Sequence, residues 1–275
     1  MNKVIHPGYR HTPTPVIAWG QALCLGAVAL LMTGCSIAQP KTFSLEADVP
    51  ENFTVTGTAN YKPAPGQTCP PASDEERDTG RLFFRPKQPK TAHQVEFKIP
   101  LTDKAHGCSM VLRGLVLTIE GQWGKRDLDM SLASASFSVS DEPSAQSAPT
   151  PTTEAQVFVG QCQWLFRTVG SKRFIRKILK CRALDANDQM EKRMAGGMLH
   201  RDQLANTTVK FVLSVAKEEE PAVGDNWVKF PTGWKRCMGE SLDDRDAFCF
   251  GNKTAFKPFK MPDGRDCTVY PGCTE

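Results

Sequence analysis

Ten cysteines constrain the fold of this 275-residue chain more than any other feature of its sequence. Two of them precede residue 40, and the remaining eight are Cys69, Cys108, Cys162, Cys181, Cys237, Cys249, Cys267 and Cys273. No two cysteines have the C-x₂-C spacing of zinc ligands, so we expect no metal site. An even set of cysteines is instead typical of a framework of disulfides, provided that the chain is exported from the cytoplasm.

The pairing of these eight cysteines is open, because eight cysteines allow about a hundred connectivities. The simplest pairing is sequential, since two cysteines lie before a proline-rich stretch at 140–153 and six lie after it. It joins Cys69 to Cys108, Cys162 to Cys181, Cys237 to Cys249 and Cys267 to Cys273. We take these four bonds as the expected arrangement.

The N-terminal segment predicts export from the cytoplasm. Lys3 and Arg10 are the only charged residues among the first fifteen, and residues 16–32 are apolar apart from Gln21. Small residues then precede Cys35, which completes the order of a secretory signal peptide. The apolar run of about seventeen residues is at the lower edge of what spans a bilayer, so an uncleaved anchor is the alternative.

Residues 31–35 read Leu-Met-Thr-Gly-Cys and resemble the lipobox of bacterial lipoproteins, with a methionine in place of the usual leucine. The resemblance implies cleavage before Cys35, a diacylglycerol on its thiol and a further acyl chain on its freed amine. Ser36, in place of an aspartate, then implies sorting to the outer membrane. We therefore predict a signal peptide at 1–34 and a lipidated tether at 35–47, with the chain facing the periplasm. The alternative is a plain secretory signal peptide, in which Cys35 is present by chance and carries no lipid.

Residues 140–153, SDEPSAQSAPTPTT, predict a linker between two domains. The stretch has three prolines, no aromatic residue and no aliphatic side chain larger than alanine. Such a segment buries too little surface to offset its ordering entropy, so we expect an extended conformation. The expected domains are residues 48–139 and 154–275, and a long loop inside one domain is the alternative.

Alternating apolar residues indicate strands in both parts of the chain. In residues 94–99, for example, Val95, Phe97 and Ile99 share one face. The clearest further segments are 53–61, 110–123, 128–139 and 156–167. Residues 174–182 fit either a strand or one face of a helix. We predict a mainly β protein of two small antiparallel domains, each sandwich-like or barrel-like and stapled by disulfides.

The charge balance argues against a nucleic-acid partner. The formal net charge is +4, and two of the 34 basic residues leave with the signal peptide, so 32 remain against 30 acidic residues. Such a chain has no strong field of one sign to attract a polyanion.

The sequence contains few groups suited to catalysis. Ser214 and Lys217 match S-x-x-K, but neither S-D-N nor K-T-G follows them. Asp243, Asp244 and Asp246 lie in one loop and cannot flank a sugar as glycosidase carboxylates do. We therefore predict a protein without enzymatic activity and without a cofactor.

Two segments are candidates for binding a partner. In the first, basic residues are interleaved with apolar ones. Its candidate contact residues are Lys172, Arg173, Arg176 and Lys177, and Lys180 and Arg182 extend the basic pattern. If helical, it is an amphipathic strip suited to anionic head groups or an acidic protein surface; if a strand, it is a basic solvent-exposed face. The second contains Trp227 and Trp234, which either join the core or act as binding anchors.

The mature chain as a whole resembles immunity lipoproteins that accompany phospholipase effectors of type VI secretion. The resemblance rests on the lipobox, the β-rich body and the Cys267–Cys273 stretch. It implies a membrane-tethered protein that binds an exported protein partner, occludes the toxin and has no catalysis of its own. The alternative is a structural or assembly lipoprotein of the cell envelope or of a secretion apparatus.

Overall fold

The computed structural model describes residues 41–69, 80–105, 107–142, 155–223, 226–239, 249 and 254–274. The predicted signal peptide at 1–34, the lipid site Cys35 and residues 143–153 of the expected linker lie outside these ranges. The expected tether at 35–47 requires correction: it is described only from residue 41, and residues 42–47 belong to strand β1, whose Phe43, Leu45 and Ala47 lie in the core.

The described part of the chain contains sixteen strands. The first eight are β1 (Thr42–Val49), β2 (Phe53–Pro63), β3 (Arg81–Phe84), β4 (His93–Pro100), β5 (Thr102–Ala105), β6 (Cys108–Gln122), β7 (Met130–Ser140) and β8 (Gln156–Val169). The second eight are β9 (Phe174–Leu184), β10 (Met190–His200), β11 (Thr208–Val215), β12 (Glu220–Pro221), β13 (Trp227–Phe230), β14 (Gly233–Arg236), β15 (Phe259–Lys260) and β16 (Asp266–Cys267). No helix in the described ranges is long and apolar enough to cross a membrane.

Period-two alternation of buried and exposed side chains explains why these segments are strands. In β1, Phe43, Leu45 and Ala47 are buried while their neighbours face outward. The undecided segment 174–182 belongs to strand β9, because it pairs residue by residue with β8 and because Leu179, Cys181 and Ala183 are buried at alternate positions. A helical interpretation of the basic segment is therefore excluded.

Fourteen strands form one sheet that curls into a nearly closed barrel. Ten of them follow the order β3-β2-β6-β7-β10-β9-β8-β11-β1-β4, and β5, β12, β15 and β16 pair at the margins. Strands β13 and β14 form a separate hairpin. The prediction of a mainly β, barrel-like protein is confirmed.

Side chains bridge the gap between β4, at one end of this order, and β2, which extends beyond the short end strand β3 in both directions. Gln88 Nε2 donates to Val55 O at 2.7 Å, and Val55 N donates to Gln88 Oε1 at 2.9 Å, as a neighbouring strand would. His93 Nε2 lies 3.1 Å from the same Gln88 oxygen. At the other end of the gap, Tyr61 Oη donates to Pro100 O at 2.9 Å. These bonds satisfy edge groups that would otherwise be exposed.

The expectation of two separate antiparallel domains, 48–139 and 154–275, requires correction. Strand β1 pairs in parallel with β11, and β7 pairs in parallel with β10, so β8 to β11 of the second half lie between two groups of first-half strands in one sheet. Their inward side chains share one hydrophobic core, and residues 39–275 form one compact unit. The alternation of apolar and polar residues along the sequence identifies the buried face of each strand. It contains no information about which other strand lies beside it.

A second, smaller core closes the end of the barrel at which β8 ends and β9 begins. It is formed by Phe166 and Ile175 from the barrel together with Trp227, Phe259 and Tyr270 from the C-terminal part. We call residues 216–223, 226–239 and 254–274 the cap. The cap consists largely of short strands and loops, so its order depends on this aromatic core and on disulfides.

All four sequentially paired disulfides are present, which confirms the predicted connectivity. Their Cα–Cα distances are 5.8 Å for Cys69–Cys108, 3.9 Å for Cys162–Cys181, 5.3 Å for Cys237–Cys249 and 4.4 Å for Cys267–Cys273. The second bond joins directly opposite residues of β8 and β9 inside the barrel core. The last two lie in the C-terminal part of the chain.

Candidate functional site

The β8–β9 hairpin contains the predicted basic segment, and residues 156–184 include no acidic residue. Its outward cations are Arg167, Arg176, Lys180 and Arg182, which we call the basic hairpin face. Arg167 and Arg176 are directly opposite each other, an arrangement that is unfavourable for like charges. Within the described ranges, none of the four forms an ion pair with a carboxylate.

Backbone carbonyls hold two of these guanidinium groups in place. Arg176 Nη1 donates to Leu128 O at 2.6 Å. Arg182 Nη1 donates to Lys192 O at 2.7 Å and to Glu191 O at 3.3 Å. A planar guanidinium fixed in this way keeps further N–H donors and loses little entropy when it binds a carboxylate.

Lys177 does not belong to this face, although it is adjacent to Arg176 in sequence. It lies on the inward side of β9, opposite Phe166, and pairs with the Glu219 carboxylate. Its ammonium is 5.8 Å from the centroid of the Trp123 ring and 5.9 Å from that of Tyr270. The grouping of Lys177 with the surface cations is therefore corrected.

Glu219 belongs to the cap, so its pair with Lys177 links the cap to the barrel, and it accepts a second bond from the Tyr270 hydroxyl within the cap. Burial, followed by the charge of Glu219 and this hydrogen bond, raises the pKa of Tyr270. The phenol is therefore a permanent donor at ordinary pH. Lys177, Glu219 and Tyr270 together form a polar contact at the edge of the aromatic core.

Lys172 and Arg173 lie in the turn between β8 and β9. Gly170 (φ 69°) and Arg173 (φ 55°) are both left-handed, and Arg173 N donates to Gly170 O at 3.1 Å. The cap contacts this turn, because Lys260 N donates to Arg173 O at 2.9 Å. The Lys172 side chain is exposed. The turn is thus positioned by the cap.

Arg236 is a buried cation of the cap that lies near this turn. It donates to Thr168 Oγ1 at 3.2 Å and to Gly239 O at 2.5 Å. Burial and the nearby charge of Arg173 lower its pKa to about 10. Arg236 therefore serves the interior of the cap rather than the surface.

The two candidate tryptophans have different environments. Trp227 is 6% exposed, and its ring centroid is 5.0 Å from that of Phe166 and 5.2 Å from that of Phe259. It is a core residue of the cap and not a surface anchor. Trp234 is half-buried, 5.9 Å from Phe166 and under the Lys229 ammonium at 5.5 Å. Of the two, only Trp234 exposes part of its ring to solvent.

Sequence reasoning missed several residues that the fold brings together. Glu219 is the middle of three consecutive glutamates, and Tyr270 and Trp123 are distant from the basic segment. Nothing in their local sequence distinguishes them. The outward orientation of Val157 and Val159 can be inferred from the sequence, because both are an even number of residues from Arg167 along β8.

The described ranges contain no group of three or more histidine, cysteine, aspartate or glutamate side chains able to hold a metal ion. The comparisons with known proteins give no match: no family model, no curated protein and no solved structure is similar to this chain.

Proposed function

We propose that this chain is an outer-membrane lipoprotein that faces the periplasm and binds and neutralises an exported protein. The most specific form of the proposal is immunity to a phospholipase effector of type VI secretion. The observation that carries it is the basic hairpin face, whose four cations form no ion pair with a carboxylate in the described ranges. The lipobox-like residues 31–35 supply the membrane attachment.

A rigid body supports such a role, because a preformed surface loses little entropy on binding. The Cys162–Cys181 disulfide and the filled barrel core hold the β8–β9 hairpin in one conformation. The turn at its tip is fixed by the cap. A protein that occludes a toxin needs this stability rather than a reactive group.

The lipid would keep this body close to the bilayer. Seven residues lead from Cys35 to Thr42, where β1 begins, so an extended tether reaches at most about 25 Å. Two or more acyl chains give stable attachment, whereas one gives marginal binding. A partner arriving from outside would therefore be intercepted at the membrane that a phospholipase attacks.

Affinity capture tests the binding function. The mature, oxidised protein is immobilised and exposed to exported proteins of its own strain, and we expect retention of a lipase-like effector. An equimolar amount of the protein should abolish phospholipid hydrolysis by that effector. Phospholipid turnover by the purified protein itself would contradict the proposal. Capture of envelope or secretion components, without any effector, would support the structural alternative instead.

Metabolic labelling with palmitate tests the attachment. We expect label in the wild-type protein and none in Cys35→Ala. The matched control is Cys24→Ala, which alters the other N-terminal cysteine and should label normally. An unlabelled wild-type protein that keeps its first 34 residues would contradict lipid anchoring.

A further inference from the structure

The outer face of strands β8 and β10 exposes more apolar surface than a solvent-facing sheet needs. Val157 is 54% exposed and Val159 40%, while Met194 and Met198 of β10 are 52% and 55% exposed. All four point away from the filled barrel, so they contribute nothing to its core. Contiguous exposed apolar residues typically mark an interaction site.

The strand register places these residues beside the basic hairpin face. Arg182 is opposite Gln161 of β8 on one side and opposite Met194 of β10 on the other. Val159 precedes Gln161 by two positions and therefore shares its face. Lys180 is the next outward residue of β9. Valine, methionine and two cations thus form one continuous surface, which we call the mixed outer face.

The charge of this surface is unbalanced at β9. Lys210 of β11 borders the valines as well, but Glu46 of β1 lies opposite it in register. Lys180 and Arg182 have no such carboxylate within the described ranges. The positive excess is therefore local to the β9 edge of the apolar residues.

We infer that the mixed outer face is the docking surface for the protein partner, and that the partner presents carboxylates around an apolar centre. This inference rests on the proposed function for the existence of an exported partner. Charge complementarity selects an acidic occupant, since two cations lack a partner beside exposed valine and methionine. Methionine side chains adapt to an irregular apolar surface, which suits such a contact.

The geometry favours a protein over a lipid surface. Arg182 is held by two backbone carbonyls, at 2.7 Å and 3.3 Å, so its guanidinium is oriented for a planar carboxylate. Interfacial membrane binders instead use mobile cations together with tryptophan or phenylalanine. The apolar residues of the mixed outer face are valine and methionine, with no exposed aromatic among them.

Charge reversal tests the electrostatic half of the inference. The probe is immobilised poly-L-glutamate, to which the mature wild-type protein should bind in a salt-sensitive manner. The double variant Lys180→Glu/Arg182→Glu should bind about tenfold more weakly or worse. The matched control is Lys98→Glu/Arg113→Glu, which reverses two exposed cations on β4 and β6 and should stay within about twofold of wild type. Equal losses in both variants, or none in either, would overturn the inference.

Vesicles of phosphatidylglycerol and phosphatidylethanolamine provide the second arm. We expect protein lacking its lipid to bind them more weakly than poly-L-glutamate. Binding that is tighter to vesicles, and lost in Lys180→Glu/Arg182→Glu, would assign the face to a membrane and overturn the inference.

The apolar half is tested with the captured effector. Val159→Asp should weaken the complex about tenfold or more, whereas Phe83→Asp should not. Phe83 is a fair control because it is 43% exposed on the outer side of β3. An effector that binds all variants equally leaves the proposed function intact and removes this face. If no effector is captured but the variants bind poly-L-glutamate as expected, the mixed outer face is supported as a carboxylate-binding surface and toxin neutralisation is contradicted.

Discussion

Adjacent cations in β9 have opposite roles because consecutive side chains of a strand point to opposite faces. Arg176 faces outward and bonds a backbone carbonyl, whereas Lys177 faces inward and pairs with Glu219. The side chains of Lys177 and Glu219 are only 17% and 27% exposed, so water compensates little for a lost partner. Sequence proximity alone groups these cations, and only their orientation separates them.

Replacing Glu219 by glutamine should therefore destabilise the protein. The change leaves the Lys177 charge without a counterion, and we expect the free energy of unfolding to fall by about 1–3 kcal/mol. Urea denaturation measures it. Glu218→Gln is the matched control, because Glu218 pairs with Lys229 in solvent and such pairs contribute little. Equal stability of the two variants would show that the inward ion pair does not support the cap.

Asp129 should contribute to the free energy of unfolding at neutral pH and lose that contribution at acid pH. Its carboxylate is buried in the turn between β6 and β7, and hydrogen bonds from Arg126 lower its pKa. An unfolded aspartate titrates near pH ~4. Wild type should exceed Asp129→Asn in stability by a constant amount at neutral pH, and the difference should shrink as the pH falls below about 4.

Denaturation at several pH values measures this difference. Asp127→Asn, an exposed change in the same turn, is the control and should follow the wild-type curve. A stability difference between wild type and Asp129→Asn that persists unchanged at pH ~2 would contradict the assignment.

At the scale of elements, the β8–β9 hairpin is fixed by pairing, by turn geometry and by a disulfide across it. Cys162 and Cys181 occupy opposite positions in the register, so the bond and the strand pairing specify the same alignment. The basic hairpin face depends on this alignment. A slip of one residue would turn Arg182 into the core and expose Cys181.

Removing that disulfide should cost stability in proportion to the loop it closes. The two cysteines are 19 residues apart, and Cys162→Ala/Cys181→Ala should lower the free energy of unfolding by about 3 kcal/mol. Cys267→Ala/Cys273→Ala, which opens a separation of 6 residues, should lose less, about 2 kcal/mol. Guanidinium denaturation compares them. The reverse ranking would indicate that the cap depends on the Cys267–Cys273 disulfide more than the barrel depends on Cys162–Cys181.

At the scale of the whole molecule, the two halves cannot separate without breaking the barrel. The pairings of β1 with β11 and of β7 with β10 each join one half to the other. Neither half retains a closed sheet or a complete core by itself. The folded protein should therefore unfold in one transition.

A protease site inserted within residues 145–150 tests this unity. After cleavage, the two fragments should stay together and co-elute at the size of the intact chain. Both should separate only in denaturant. Fragments that elute apart under native conditions, each still folded, would restore the two-domain interpretation.

The sequence by itself predicted the strand character of most segments, and the sequential pairing of its cysteines, the simplest of many, is the one the structure contains. Alternation in residues 94–99 and the order of the cysteines are local properties, and strands and short loops follow local rules. Lys172 is exposed and Arg176 faces outward, as the strand alternative for the basic segment requires, and their role in binding a partner stays a prediction.

Only the tertiary structure decided which strands are neighbours, and with them the composition of every surface. Val159, Arg182 and Met194 come together because β8, β9 and β10 are adjacent in the sheet, and Glu219 reaches Lys177 because the cap folds back onto the barrel. Hydrogen bonds between strands are made by the backbone, which is the same at almost every residue. The choice of neighbour therefore depends on packing of the whole core, which no local pattern encodes.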